Sequence, residues 1–296
     1  MSELARVTTS VLDIAYEHSG PEHGALAVLL HGYPYDVRSF DEVVRRLNGQ
    51  GMRTIVPYLR GYGGTRFLRS DTPRSGEQAA LAHDLLEFMD QLQISQALLG
   101  GFDWGGRAAC IAAALWPERV IGLVGGGGYL IQNNDNAAKP LNLAQEQAYW
   151  YQYYFHSARG RRCLEDNRHA LGAHIWRLWS PDFAFSDATY NATAKSFDNA
   201  DFVDVVLHSY CHRTGSADGD PRYAETERLL RSQPKIGVPT ITLHGASDGV
   251  TPVSLSQNEE RFFTGQYEKR VLTSVGHNIP MEAPEQFAQA VLDLAP

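Results

Sequence analysis

Cysteine, basic charge and long apolar runs are all scarce in this chain of 296 residues. Its three cysteines, Cys110, Cys163 and Cys211, are too few and too far apart for a disulfide framework or a zinc site with CxxC spacing. Acidic residues outnumber basic ones by 34 to 26, and the resulting net charge of -8 argues against binding to nucleic acid or to an anionic membrane. No apolar run approaches the ~20 residues that are needed to cross a bilayer.

Residues 1–9 also lack the basic segment and following apolar run of a secretory signal peptide. Together with the scarcity of cysteine, this predicts a reducing, cytoplasmic location. The hydrophobic fraction of 43% is ample for a packed core, so the chain is expected to fold. Its length suits about two domains, or one large α/β domain, at roughly 150 residues per domain.

Short apolar runs alternate with segments of helical spacing through the first part of the chain. The loosely alternating segment 12–16 suits a half-buried strand, and the runs predicted to be fully buried strands are residues 25–30, 54–59, 97–99 and 120–124. The segments between them that predict helices are residues 39–47, with Ser39 as a candidate N-cap, 77–93 and 107–116. This alternation predicts a parallel sheet built from βαβ units.

The pattern changes in the middle of the chain and returns near its end. Residues 132–233 are rich in aromatic and helical segments and contain no further buried apolar run. After them, residues 240–243 and 270–272 predict strands and residues 287–294 predict a final helix. We therefore expect a sheet domain formed by residues 1–131 and 236–296, interrupted by a helical insertion, the cap, at residues 132–235.

Asp103 lies in the segment GFDWGG, between a predicted strand and a predicted helix. A nucleophile on such a sharp turn needs small neighbours, because the tight backbone leaves no room for side chains. Serine is the usual nucleophile there, whereas a carboxylate would attack carbon and form an ester that water must hydrolyse. The start of the following helix favours the ionised carboxylate. Taken alone, the segment fits equally well an aspartate that only caps the helix.

Two later residues follow Asp103 in the order nucleophile, acid, base that this kind of α/β architecture uses. Asp248 lies in HGASDGV and His277 in VGHNIP, each after a predicted strand. The carboxyl ends of parallel strands meet at one edge of a sheet, so we expect the three side chains to lie together. We call Asp103, Asp248 and His277 the candidate triad.

The segment HGYP follows the first buried strand and supplies a further expected part of the site. A tight glycine turn there can aim the backbone N–H of Tyr33 at the reacting centre. With the N–H of Trp104 it would form an oxyanion hole.

Together, the segments HGYP, RGYGG, GGFDWGG, GASDGV and GHNIP resemble the α/β-hydrolase superfamily, in its branch with an aspartate nucleophile. That branch contains epoxide hydrolases and the haloalkane and haloacetate dehalogenases, and the resemblance covers about residues 10–294. It implies an α/β-hydrolase fold, with a mostly parallel central sheet flanked by helices and an inserted helical cap. It also implies nucleophile, acid and base roles for the candidate triad.

Within the branch, the cap favours an epoxide hydrolase. Similar epoxide hydrolases use two cap tyrosines to protonate the opened ring, and Tyr151 and Tyr210 lie where the resemblance places them. Tyr210 lacks the Tyr-Arg ending that is usual in that family. Substrate contacts are expected from His31, Pro34, Trp104 and Trp150, and the aromatic cap favours a hydrophobic or aryl epoxide.

Two alternatives stay open. A haloalkane or haloacetate dehalogenase would use the same triad, with the indole of Trp104 on the halide, although Tyr33 stands where many haloalkane dehalogenases carry asparagine. A non-catalytic binding protein on the same scaffold would usually lack a triad member. The net charge of -8 suits a neutral substrate better than a haloacid anion. We expect a small-molecule substrate and no metal or organic cofactor, since histidines and aspartates occur singly at the strand ends; a homo-oligomer is left open.

Overall fold

The computed structural model describes residues 2–296. Its strands are β1 Glu3–Thr8, β2 Leu12–Ser19, β3 Leu26–Leu30, β4 Arg53–Pro57, β5 Arg66–Phe67, β6 Ala97–Phe102, β7 Val120–Gly126, β8 Thr240–Gly245 and β9 Tyr267–Leu272. Its α-helices are α1 Asp41–Gly49, α2 Gln78–Gln91, α3 Asp103–Leu115, α4 Leu143–Ala148, α5 Trp150–Tyr154, α6 Ala158–Trp179, α7 Asp187–Ala194, α8 Phe202–Arg213, α9 Ala224–Leu230, α10 Ile279–Glu282 and α11 Pro284–Asp293.

All the strands belong to one sheet, in which the neighbours run β1-β2-β4-β3-β6-β7-β8-β9 and β5 pairs with β2. From β4 to β9 every pairing is parallel, while β1, β2 and β5 pair antiparallel at one edge. The central strand β6 is buried along its whole length, which is why it appears in the sequence as a continuous apolar run.

Helices cover both faces of the sheet. Adjacent side-chain positions on a strand point to opposite faces. A Cβ added at Gly100 of β6 would meet the ring of Phe287 on α11, whereas a Cβ added at the next residue, Gly101, would meet the backbone of α3 at Gly105. Helix α3 also packs on α2, and α11 packs on α1. The sheet is therefore the middle layer of a three-layer α/β domain.

Helices α4–α9 occupy the chain between β7 and β8, where the sequence places the cap. They are fixed to the sheet domain by buried polar contacts. The indole of Trp176 donates to the carbonyl of Pro34 at 2.8 Å. The guanidinium of Arg60 makes two bonds to Asp84, at 2.6 and 2.7 Å, and a third to the hydroxyl of Tyr223 at 3.3 Å. The division at residues 132–235 stays a prediction.

The structure corrects the start of two predicted helices. Helix α1 begins at Asp41, and Ser39 is not its N-cap but part of a preceding 3-10 turn, which Asp36 caps by accepting from the backbone N–H of Arg38. Helix α3 begins at Asp103 itself rather than at Arg107. Within residues 2–296, no helix is both long and apolar enough to cross a membrane.

Candidate active site

Asp103 is held at a strained turn between β6 and α3. Its φ of 50° lies in the left-handed region, which is rare for a residue with a side chain. A Cβ at Gly32 would lie 2.4 Å from the Cβ of Asp103, and a Cβ at Gly105 would lie 2.1 Å from the carbonyl oxygen of Leu30. The small residues of HGYP and GFDWGG are therefore needed because two backbone segments approach closely at the nucleophile position.

The carboxylate of Asp103 does not cap its helix. Phe102 occupies the N-cap position, without a side-chain cap. Instead, Asp103 Oδ1 accepts a hydrogen bond of 2.7 Å from the backbone N–H of Tyr33. Within the described residues, the backbone N–H of Trp104 makes no hydrogen bond to this carboxylate. The role of the Trp104 N–H in an oxyanion hole therefore stays a prediction. These contacts disfavour the interpretation of Asp103 as a plain capping residue.

The structure brings the three members of the candidate triad together. His277 Nδ1 lies 2.8 Å from Asp248 Oδ2, and His277 Nε2 lies 3.7 Å from Asp103 Oδ2. The other oxygen of Asp248 accepts from the backbone N–H groups of Val250 and Thr251, each at 2.8 Å. Since an ionised carboxylate can only accept, Asp248 holds the proton on Nδ1 and turns Nε2 toward Asp103.

Charge balance at the site favours an ionised nucleophile. Burial opposes the charge on Asp103, but the nearby imidazole of His277, the guanidinium of Arg107 and the N–H of Tyr33 outweigh it and hold the pKa of Asp103 below its ordinary value. Burial likewise opposes a charge on His277, yet Asp248 and Asp103 raise its pKa to about 10. The charge on Asp103 and the proton on His277 therefore favour each other in the resting site.

Titration of His277 by NMR is expected to give a pKa near 10 in the wild type and a lower pKa in Asp103→Asn, because the amide removes a charge that favours the imidazolium. Because the folded pKa exceeds the ordinary 6.5, the same proton stabilises the fold fully below that pH, and this contribution disappears as pH rises through about 10. The exposed Asp187→Asn is the control. An unchanged pKa in Asp103→Asn would contradict the assignment of Asp103 as the neighbouring charge.

The loop of His277 is positioned by residues that the sequence did not reveal. The backbone N–H of His277 lies 3.2 Å from the carbonyl of Trp179 and 3.1 Å from Ser180 Oγ. Ser180 in turn donates to Glu282 at 2.6 Å, and Glu282 also accepts from the backbone N–H of Gly276 at 2.6 Å. Because Ser180 comes from the cap and Glu282 from α10, only the tertiary structure brings them together.

An aromatic cluster joins the two predicted cap tyrosines to the nucleophile. The ring of Tyr33 lies 5.8 Å from that of Trp104, 5.5 Å from Tyr210 and 6.5 Å from Tyr151, between centroids. Tyr151 and Tyr210 meet edge to face at 5.2 Å. The Tyr210 hydroxyl and the Trp104 indole N–H are buried with no hydrogen-bond partner in residues 2–296. Burial and the charge of Asp103 raise the pKa of both tyrosines, so both stay protonated.

Three of the residues expected to contact substrate make contacts within the protein, and their contact with substrate stays a prediction. His31 is fully buried, and its ring nitrogens are bonded to the backbone, Nδ1 to the Gly32 carbonyl at 3.1 Å and Nε2 to the Leu59 N–H at 3.1 Å. Burial lowers the pKa of His31 to about 4, so it is neutral and bridges two loops. The carbonyl of Pro34 accepts the hydrogen bond from the indole N–H of Trp176. The ring of Trp150 packs on Tyr151, Tyr154 and His174 within the cap.

A group of metal-ligating side chains occurs away from the candidate triad. The carboxylates of Glu77 and Glu227 and the imidazole of His212 place ligand atoms within 4.8 Å of one another. Glu77 Oε1 already accepts from Ser75 Oγ and from the backbone N–H of Asp220, and Oε2 faces His212 at 3.6 Å. These residues are distant in the sequence, where their spacing gives no metal-binding signal.

The whole arrangement is that of a known family. The alpha/beta hydrolase fold family matches residues 27–284, so the chain belongs to the α/β hydrolases. The predicted fold is thereby confirmed, as is the predicted relationship to epoxide hydrolases.

Individual relatives make the relationship more specific. The chain is 46% identical to a crystal structure described as a candidate epoxide hydrolase from Klebsiella pneumoniae, with a TM-score of 0.96 over 99% of this chain and 97% of that one. An epoxide hydrolase of Caballeronia sordidicola is 25% identical, with 91% of this chain and 87% of the relative covered. Epoxide hydrolase 3 of Siraitia grosvenorii is 32% identical over 127 residues, 42% of this chain; the match spans 39% of the relative's length.

Proposed function

We propose that the protein is an epoxide hydrolase, which converts a hydrophobic or aryl epoxide to a vicinal diol through an ester on Asp103. The observation that supports the proposal is that Tyr33, whose backbone N–H bonds the Asp103 carboxylate, also packs its ring against two buried tyrosines of the cap. An epoxide needs both a nucleophile at carbon and an acid at oxygen. The names of the similar proteins agree with this chemistry.

In the first step, Asp103 attacks a ring carbon of the epoxide. A bond forms between that carbon and a carboxylate oxygen, the carbon–oxygen bond of the ring breaks, and the epoxide oxygen takes a proton from a tyrosine. The amide of Gln152 donates to the Tyr151 hydroxyl at 3.1 Å, which leaves the Tyr151 proton free to be donated. The Tyr210 hydroxyl has no partner in the described chain and is equally free. Because burial raises the pKa of both tyrosines, each keeps its proton until negative charge develops on the epoxide oxygen.

In the second step, water hydrolyses the ester. His277 Nε2 removes a proton from water, and the hydroxide adds to the ester carbonyl of Asp103. Collapse of this intermediate breaks the bond to the alkyl oxygen, which takes the proton of the added hydroxyl, so that the diol leaves and the Asp103 carboxylate is restored. The N–H of Tyr33 already contacts the carboxylate oxygen on which negative charge develops. Together with the Trp104 N–H it would stabilise the oxyanion, at roughly 3 kcal/mol per donor.

The charge on Asp103 explains how one histidine serves both steps. While Asp103 is ionised, its charge helps to raise the pKa of His277, and the imidazole is protonated and cannot act as a base. Formation of the ester removes this charge, so the pKa of His277 falls. The imidazolium proton then returns to the tyrosinate that ring opening left behind. The base therefore becomes available only after the nucleophile has reacted.

A dehalogenase is the second candidate, and the unpartnered indole N–H of Trp104 favours it. This N–H is buried and belongs to the residue that follows the nucleophile, and a leaving halide needs a weakly acidic donor. The two tyrosine hydroxyls have no comparable role in halide displacement, which is why we place the epoxide first.

Product analysis on parallel substrates tests the proposal. The purified protein is incubated with styrene oxide, with 1-bromobutane and with fluoroacetate, and both diol and free halide are measured. We expect diol from styrene oxide at a rate well above halide release from either halogen compound. Faster halide release would identify a dehalogenase. The absence of any product would favour a non-catalytic binding protein.

A further inference from the structure

We propose that Arg213 and Arg107 form a carboxylate-binding subsite, so that the preferred epoxides carry a carboxylate next to the ring. This inference rests on the proposed function, since it names the substrate class of the same site. The charge of the whole chain does not decide the matter, because local potential depends on the few groups that face the ligand.

Arg213 presents buried, unused donors beside a proposed proton donor. It ends helix α8, one turn after Tyr210, and its guanidinium carbon lies 4.5 Å from the centre of the Tyr210 ring. Its Nε and Nη2 atoms are buried without a hydrogen-bond partner. Within residues 2–296, no carboxylate oxygen lies within 4.0 Å of its guanidinium nitrogens, so Arg213 forms no ion pair. Arg213 as a whole is only partly buried, but these two donors are shut off from solvent and unpaired. An anion that accepts from them would supply the hydrogen bonds that they lack.

Arg107 brings a second positive charge to the same place. It lies one turn after Asp103 on α3 and is only 5% exposed. Its one hydrogen bond within the described chain runs from Nε to the carbonyl of Leu130, at 3.2 Å. Burial, followed by repulsion from Arg213, lowers the pKa of Arg107 to about 10. Arg107 therefore lies close enough to Arg213 for the two charges to repel each other, one on the helix of the nucleophile and one on the helix of Tyr210.

The acidic groups nearby leave Arg213 without a partner, and Asp103 compensates Arg107 only while it is ionised. Asp103 is the nucleophile and loses its charge during the reaction. The two oxygens of Glu227 accept from the Ala79 N–H at 3.0 Å and from the Gln78 amide at 3.3 Å, and the free oxygen of Glu77 faces His212. A carboxylate from the substrate would supply the missing partner and make charge-assisted hydrogen bonds to guanidinium donors.

The position of Arg213 also indicates how far the carboxylate of the substrate lies from its epoxide ring. Together with Tyr149 and Gln152 it lines a cavity of about 530 Å³ at the cap surface, so its side chain lies between this cavity and the ring of Tyr210. Because its guanidinium packs on Tyr210, a bound carboxylate would lie close to the epoxide oxygen that this tyrosine protonates. The structure therefore favours 2,3-epoxy acids over acids whose carboxylate is distant from the ring.

The test compares two epoxides of nearly the same shape, trans-3-phenylglycidate and its amide. In the wild type we expect kcat/KM for diol formation to be about 10- to 100-fold higher for the carboxylate, the range of a hydrogen bond to a charged group. Arg213→Gln should lower this ratio at least about 10-fold, and Arg213→Lys, which keeps the charge, should retain part of it. Arg159→Gln, at an exposed cap arginine, is the control.

The outcomes separate this inference from the proposed function. Equal rates for acid and amide, or a ratio that Arg213→Gln leaves unchanged, would overturn the subsite, while diol from the amide would still support epoxide hydrolysis. Halide release from fluoroacetate with no diol from either epoxide would overturn both the epoxy-acid assignment and the proposed function. Because the readout is a ratio within each variant, a general loss of activity does not imitate the expected result.

Discussion

Replacement of His277 with glutamine is expected to stop the reaction after its first chemical step. Asp103 keeps its carboxylate and its hydrogen bond from Tyr33, so it can still open the epoxide. Glutamine cannot take a proton from water, so hydrolysis of the ester should slow by about 10²- to 10⁴-fold. Rapid-quench sampling should then show the loss of one equivalent of styrene oxide per protein, followed by very slow diol release.

The control for this variant is His23→Gln, because His23 lies on the exposed surface. It should turn over styrene oxide at the wild-type rate, with no lag between epoxide loss and diol formation. If His277→Gln releases diol as fast as it consumes epoxide, His277 is not the base of the second step. If it consumes no epoxide at all while remaining folded, the imidazole is needed for ring opening instead.

The double substitution Tyr151→Phe with Tyr210→Phe is expected to block the first step. It removes both hydroxyls that can protonate the epoxide oxygen and leaves the aromatic packing among Tyr33, Trp104 and the two rings. Loss of general-acid catalysis should lower the rate of ester formation by about 10²- to 10⁴-fold. Single-turnover consumption of styrene oxide measures this step directly, and each single variant should fall between the wild type and the double variant.

Tyr153→Phe is the matched control, since Tyr153 lies on the same helix α5 but is exposed and bonded to Glu146. It should leave the rate unchanged. Ring opening at the wild-type rate in the double variant would show that these tyrosines are packing residues. Thermal unfolding of each variant separates loss of acid catalysis from loss of the fold.

The parts of the fold that could be predicted are those in which the local pattern reflects burial. Strands β3 and β6 are covered by helices on both sides, so each is a short continuous apolar run. Strand β1 was missed because it lies at the sheet edge and is largely exposed, and its pairing with β2 is set by the tertiary structure. Strand β5 is two residues long and carries no periodic signal.

In the candidate site, too, the residues that could be predicted are those with a local sequence signal. Asp103, Asp248 and His277 each follow a strand, so their proximity follows from the parallel topology, and their segments carry turn residues that the sequence displays. Arg213 and Glu282 could not be assigned, because their environments are made by helices that are distant in the chain. For His31, substrate contact stays a prediction, and the structure adds that both ring nitrogens bond the backbone of two loops.

The covalent ester on Asp103 is the central claim, and peptide mass spectrometry of His277→Gln tests it most directly. The variant is mixed with styrene oxide, quenched in acid during the expected burst, digested and mapped. We predict that the peptide containing Asp103 gains the mass of one substrate molecule and that fragmentation places it on that residue. The same peptide from Asp103→Asn treated in parallel should be unmodified. An unmodified Asp103 peptide after consumption of one equivalent of epoxide, or an adduct on another residue, would contradict the account.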